Sequence, residues 1–232
     1  MAVRRSIEFS RSALRRLFFQ RCFYLFMALL LLISVSPFIE GVHGTYLLAG
    51  LNAFMVLSAA AALGRTALSF LLVFCLIGGA VGLRFASMEQ GQAALVNWSL
   101  LLHALVYLVI IALLMRYVFG PEVMDTDRLW GAAAAYLMIG ILWCFLYGLA
   151  ELPPGLSFLV RGQPAQLELT DLLYFSFSTL TTIGFGDIVP ITRAGQVAAI
   201  LEGIVGTLFL AILIAKLVGV YPPGARTPAP KE

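Results

Sequence analysis

The chain is predicted to be an all-α membrane protein, and three observations predict it. Hydrophobic residues fill 61% of its 232 positions and charged residues only 12%, with a mean hydropathy of +0.97. No soluble domain of this size has that composition. Six stretches are apolar enough to cross a hydrocarbon core ~30 Å thick, which takes roughly 20 helical residues. Between the last two lies an apolar segment, Thr170–Leu180, of about ten residues. It is too short to span and of the length expected for a re-entrant helix, and it runs straight into a glycine-rich loop.

The spans are placed at 22–39, 45–63, 67–86, 94–119, 129–150 and 195–220. They divide the chain into a basic arm at 1–21, a four-helix region at 22–119, a two-span module at 129–220 and a short tail at 221–232. Lys and Arg placement sets the orientation. With the N-terminus cytoplasmic, twelve of fifteen basic residues lie inside, and only Arg84, Arg161 and Arg193 fall outside. Six spans return the C-terminus to the cytoplasm. The arm interleaves Arg11, Arg15 and Arg16 with Ile7, Leu14, Leu17 and Phe18, which fits a basic interfacial helix. Arg4, Arg5, Arg11, Arg15 and Arg16 are candidates for contact with anionic lipid, or they serve only as positive-inside anchors. Ser34-Val35-Ser36 after an apolar run mimics a signal-peptide cleavage site, but the leading region is long for a signal, so a retained helix is expected. Gly78-x-x-x-Gly82 supplies a small-residue packing face in the third span.

The loop after the short segment reads Thr181-Thr182-Ile183-Gly184-Phe185-Gly186-Asp187. It resembles the selectivity filter of potassium channels, the T-x-G-[YF]-G-D signature in its Phe-containing form. In that family, successive backbone carbonyls replace the water around K+. The chemistry explains the spelling. Carbonyls along one strand face a single axis only if alternate residues take conformations costly for a side chain with a Cβ, and Gly184 and Gly186 avoid that cost. Non-helical backbone at membrane depth is tolerated only where protein buries it or a water-filled cavity needs it. The resemblance implies K+ bound at Thr182, Ile183, Gly184 and Phe185, with Asp187 attracting cations at the outer mouth. It also implies a homotetramer, since one chain carries one quarter of each carbonyl ring.

The same resemblance assigns the surroundings. Thr170 or Asp171 suits the start of the pore helix as cap and dipole partner. Tyr174 and Phe175 stand where many members brace the filter. Ser178 lies where some carry a carboxylate bonded to the filter aspartate. Phe185 lacks the hydroxyl of the commoner Tyr, which puts filter rigidity and inactivation in doubt. Glu202, inside the sixth span, is expensive unless paired and is expected behind the filter. Gly206 falls at the family's gating-hinge position, and close helix packing would demand a glycine there equally well. Thr207, Leu210 and Ile214 share one face, expected to line the cavity. Pro222 and Pro223 merely end the helix.

Six spans with the pore last match the voltage-gated layout, but the fourth span carries only His103 and Arg116. A sensor needs several arginines, each charge being worth about 2.3 kcal/mol per 100 mV. The region 22–119 is therefore voltage-sensor-like without gating charges. His103 either bonds Asn52, Asn97 or Ser99 as a neutral ring, or titrates in the physiological range. Asp127 is expected to cap the fifth span. Cys22, Cys75 and Cys144 are expected to be free, buried thiols. No enzyme motif is present, and no cofactor beyond the permeant K+ is implied. The sequence points to passive K+ conduction, not strongly voltage-gated, in a multi-pass, prokaryotic plasma (inner) membrane. A poorly selective cation channel or a non-conducting or transporter-associated subunit is the alternative.

Overall fold

A computed structural model describes residues 21–38, 50, 52, 56, 67–90, 92–120, 125–151 and 157–220. The arm with its candidate lipid-contacting arginines, most of the second expected span and the tail lie outside the described residues.

Helix α1, Arg21–Val35, ends in a 3-10 turn at Ser36–Phe38, where Pro37 removes the next amide donor. Helices α2, Ala67–Gln90, and α3, Ala93–Val118, follow. Helix α4 spans Thr126–Ala150, three residues earlier than the sequence reading placed it. Its cap is Asp125, whose carboxylate accepts from Arg128 N at 2.9 Å, and this corrects the assignment to Asp127. Asp127 instead accepts from the Cys22 amide at 3.0 Å and the Tyr117 hydroxyl at 2.8 Å. One carboxylate thereby joins the start of α1, the end of α3 and the start of α4.

Helix α4 is the hub, packing against α1 and α3 and against the two helices that follow it, while α2 packs on α3. Its run Gly131-Ala132-Ala133-Ala134-Ala135 explains this, since small side chains let neighbouring backbones approach closely. A Cβ at Gly131 would lie 3.2 Å from Val118 and 3.4 Å from Cys22. Tyr107, Ile110, Leu114 and Met138 fill the seam between α3 and α4 without exposure.

The described residues are mostly helical, consistent with an all-α membrane protein, and add one small sheet. Strands β1, Phe158–Val160, and β2, Gln163–Pro164, form a hairpin, and β3, Ile188–Pro190, pairs with β1, giving the antiparallel order β2-β1-β3. Arg161 and Gly162 turn the hairpin with φ of 50° and 82°, the two left-handed residues of a type I′ turn. Between the hairpin and β3 runs α5, Leu169–Leu180, and α6, Arg193–Val220, closes the described chain. Four helical segments among the described residues are long and apolar enough to cross a membrane: Arg21–Phe38, Ala94–Val118, Thr126–Ala150 and Arg193–Gly219. In α2 the apolar stretch is Val73–Ser87. Of the three thiols, Cys22 and Cys144 are buried but Cys75 is exposed, contrary to expectation.

Candidate functional site

Helix α5 is twelve residues long because its boundaries are written into the chain. A capping box opens it: the Glu168 side chain takes the Asp171 amide, and Asp171 Oδ2 accepts from Glu168 N at 3.0 Å. Glu168 is thus the cap, and Thr170 and Asp171 lie inside the first turn. Before it, the buried Glu151 takes the Leu167 amide at 2.9 Å. Burial pushes the Glu151 carboxyl above its ordinary range, and Leu167 N–H opposes that shift.

At its C-terminal end α5 gives way to the 181–187 loop. Thr182, Gly184 and Gly186 have φ of 61°, 56° and 74°, so left-handed residues alternate with Ile183 and Phe185. A Cβ at Gly184 or Gly186 would meet nothing within 4 Å. Backbone handedness, rather than space, therefore requires glycine there. Thr182 adopts the same conformation at a cost of about 1–2 kcal/mol. The amides are held from below: Thr182 N donates to Thr179 O at 2.9 Å, and Ile183 N and Gly184 N donate to Ser178 O at 2.9 and 3.0 Å. Among the described residues, no hydrogen bond ends on the carbonyls of residues 181–186. The loop thus satisfies its first donors, through Gly184, and leaves the carbonyls of 181–186 free, on a stretch that is exposed in the single chain.

Its far end is anchored by Tyr174, whose hydroxyl donates to Asp187 Oδ2 at 2.9 Å and whose ring lies parallel to Phe185 with centroids 6.0 Å apart. Asp187 O in turn accepts from Arg161 N at 2.7 Å, which fastens the hairpin turn to the loop exit. Ser178 meets the loop through its backbone. Its hydroxyl bonds Phe175 O at 2.9 Å instead of facing Asp187, and its carbonyl receives the loop amides. Phe175 is buried edge-on against Tyr147 and Phe158.

Behind α5, Glu202 of α6 is fully buried, 2.5 Å from both Ser176 Oγ and the Tyr147 hydroxyl. Gly140 presses against Phe177, where a Cβ would come within 2.7 Å of the ring. Gly206 touches the end of α5, where a Cβ would collide with the Leu180 carbonyl, and α6 runs unbroken through it. Close approach therefore accounts for this glycine. Thr207, Leu210 and Ile214 are exposed on α6, away from the buried Glu202, Gly206 and Phe209. His103 is buried with Nδ1 2.8 Å from Ser99 O and its ring stacked on Phe145. Asn52 accepts from Tyr107 instead.

Sequence reasoning missed Ser176, Tyr147, Tyr136, Gly140 and Lys216. Tyr136 donates to Leu180 O at 3.1 Å, and Lys216 donates to Val118 O at 2.9 Å. Only the buried Glu202 signalled that hydroxyl partners must exist. The others depend on which helices meet.

Residues 135–221, from within α4 to just past α6, match a family model described as ion channel. No curated protein and no solved structure matches the chain. The C-terminal part of the chain is thus ion-channel-like, joined to further helices of membrane-crossing length.

Proposed function

We propose that the chain is a subunit of a potassium-selective channel, four copies conducting K+ passively through a shared axial pore. The single observation that carries this reading is the 181–187 loop, with left-handed backbone at every second residue and carbonyls over 181–186 that accept no hydrogen bond among the described residues. Such carbonyls can replace the hydration shell of a cation, with Thr182, Ile183, Gly184 and Phe185 as the K+ ligands. The C-terminal end of α5 directs its partial negative charge toward the same region. Asp187 stands at the outer mouth. On α6, Thr207, Leu210 and Ile214 would line the cavity below, and the wide exposed face of this helix is what neighbouring copies would cover. Helices α1–α3 carry no arginine series, so voltage dependence is weak in this reading. The ion-channel match over 135–221 supports the class of activity. Potassium selectivity and fourfold assembly are the proposal.

The test is a reversal potential in planar bilayers with potassium on one side and sodium on the other. A value near the potassium equilibrium potential, lost in Gly184→Ala, is expected. Reversal near zero in the wild type would sink potassium selectivity.

A further inference from the structure

The hydrogen-bonded contacts around Glu202 outnumber the protons that an ionised carboxylate would leave to them. Its Oε1 lies 2.5 Å from Ser176 Oγ, its Oε2 lies 2.5 Å from the Tyr147 hydroxyl, and Ser176 Oγ lies 2.8 Å from the Gly140 carbonyl oxygen. Three contacts need three protons. The serine and tyrosine hydroxyls supply one each. Were Glu202 ionised, Ser176 would have one proton for two acceptors, and its oxygen would face one of them lone pair against lone pair. The count closes only with a third proton on Glu202.

The surroundings point the same way. Glu202 is fully buried, and among the described residues its hydrogen-bond partners are Ser176 and Tyr147, neither of them a cation. Among the described residues, the titratable groups near it are Tyr147, Cys144 and Tyr136, all on α4, while α5 presents Ser176. A carboxyl buried without a cation takes up a proton rather than pay for its charge.

We infer that Glu202 is a neutral carboxylic acid whose Oε1–H donates to Ser176 Oγ, while Ser176 O–H donates to Gly140 O and Tyr147 O–H donates to Oε2. The relay ties α6 to α5 and both to α4, and it puts no net charge behind the 181–187 loop. Glu202 is then a positioning residue for α5. That functional part rests on the proposed pore; the proton assignment does not.

Infrared spectra of the reconstituted full-length protein at neutral pH, wild type against Glu202→Gln, test the assignment. The carbonyl stretch of a protonated carboxylic acid is expected in the wild type and lost in Glu202→Gln. The glutamine amide can donate to Ser176 and its oxygen can accept from Tyr147. Glu202→Gln should therefore keep the wild-type melting temperature and reversal potential, while Glu202→Leu and Ser176→Ala lower the melting temperature. Loss of an ionised carboxylate band instead, or a Glu202→Gln protein as unstable as Glu202→Leu, would overturn the assignment. The infrared band needs no current, so a silent wild type counts against the pore and leaves the spectrum to decide the proton.

Discussion

The ammonium of Lys216 donates to the Val118 carbonyl at 2.9 Å, joining the C-terminal part of α6 to the last turn of α3. It also reaches Gly120 O at 3.4 Å and lies 4.8 Å from the centre of the Phe119 ring. A cation set on the free carbonyls of a helix end is favourable on both hydrogen-bonding and dipole grounds. Helices α3 and α6 otherwise barely touch, so this side chain is the principal tie between them.

Replacing the amine should show what that tie contributes. Lys216→Met is expected to cost about 1.5–3 kcal/mol, the scale of a hydrogen bond to a charged group, and Lys216→Arg to lose less. Thermal unfolding of the purified protein measures it. An unchanged midpoint for Lys216→Met would mean the tie contributes nothing.

Tyr174→Phe keeps the ring over Phe185 and deletes the bond to Asp187. In the proposed channel the loop should loosen at its exit, seen as current that decays faster during a sustained voltage step, with the reversal potential unchanged. Current as persistent as the wild type's would remove Tyr174 from the account of loop rigidity.

Gly206→Ala sets a hinge against a packing role. The Leu180 carbonyl belongs to the backbone and gives way less readily than a side chain, so a methyl group should cost about 1–3 kcal/mol by overpacking. Gly140→Ala, directed at the Phe177 ring, should cost a similar amount by the same principle. Lower melting temperatures in both variants are expected. A Gly206→Ala protein of wild-type stability with altered opening would favour the hinge.

Glu151 supplies the pH dependence. A carboxyl raised by burial favours its protonated form in the folded chain, so its contribution is full below the unfolded value and is lost as pH rises through the folded one. Glu151→Gln keeps an acceptor for Leu167 N–H and removes the charge. It should melt above the wild type at neutral pH, with the difference shrinking as pH falls through the carboxylate range. A difference that grows on acidification would contradict the burial argument.

Local pattern made much of this legible. The apolar runs at 94–119, 129–150 and 195–220 lie within three residues of Ala93–Val118, Thr126–Ala150 and Arg193–Val220 at every boundary. Glycine spacing singled out 184 and 186, which carry positive φ. It did not reveal Thr182, because threonine has no intrinsic preference for the left-handed region and is held there by the amide bonds around it. Asp125 outcompeted Asp127 as a cap because Asp127 found better partners in other helices, a tertiary fact. The sheet was missed because strands of two and three residues leave no periodicity to read. Gly140, Ser176 and Tyr147 were silent for a related reason, since their roles exist only where α4, α5 and α6 meet.

The pairing of β1 with β3 has a consequence for how this half of the molecule comes apart. Leu159 faces Val189, Val160 faces Ile188, and Arg161 N holds Asp187 O. The hairpin and the loop exit therefore share one ladder, and neither can fray without freeing the other. Amide exchange at these positions should report a single cooperative opening, a small foldon at the loop exit. Whatever grips the Arg161-Gly162 turn from outside thereby holds the exit of the 181–187 loop as well.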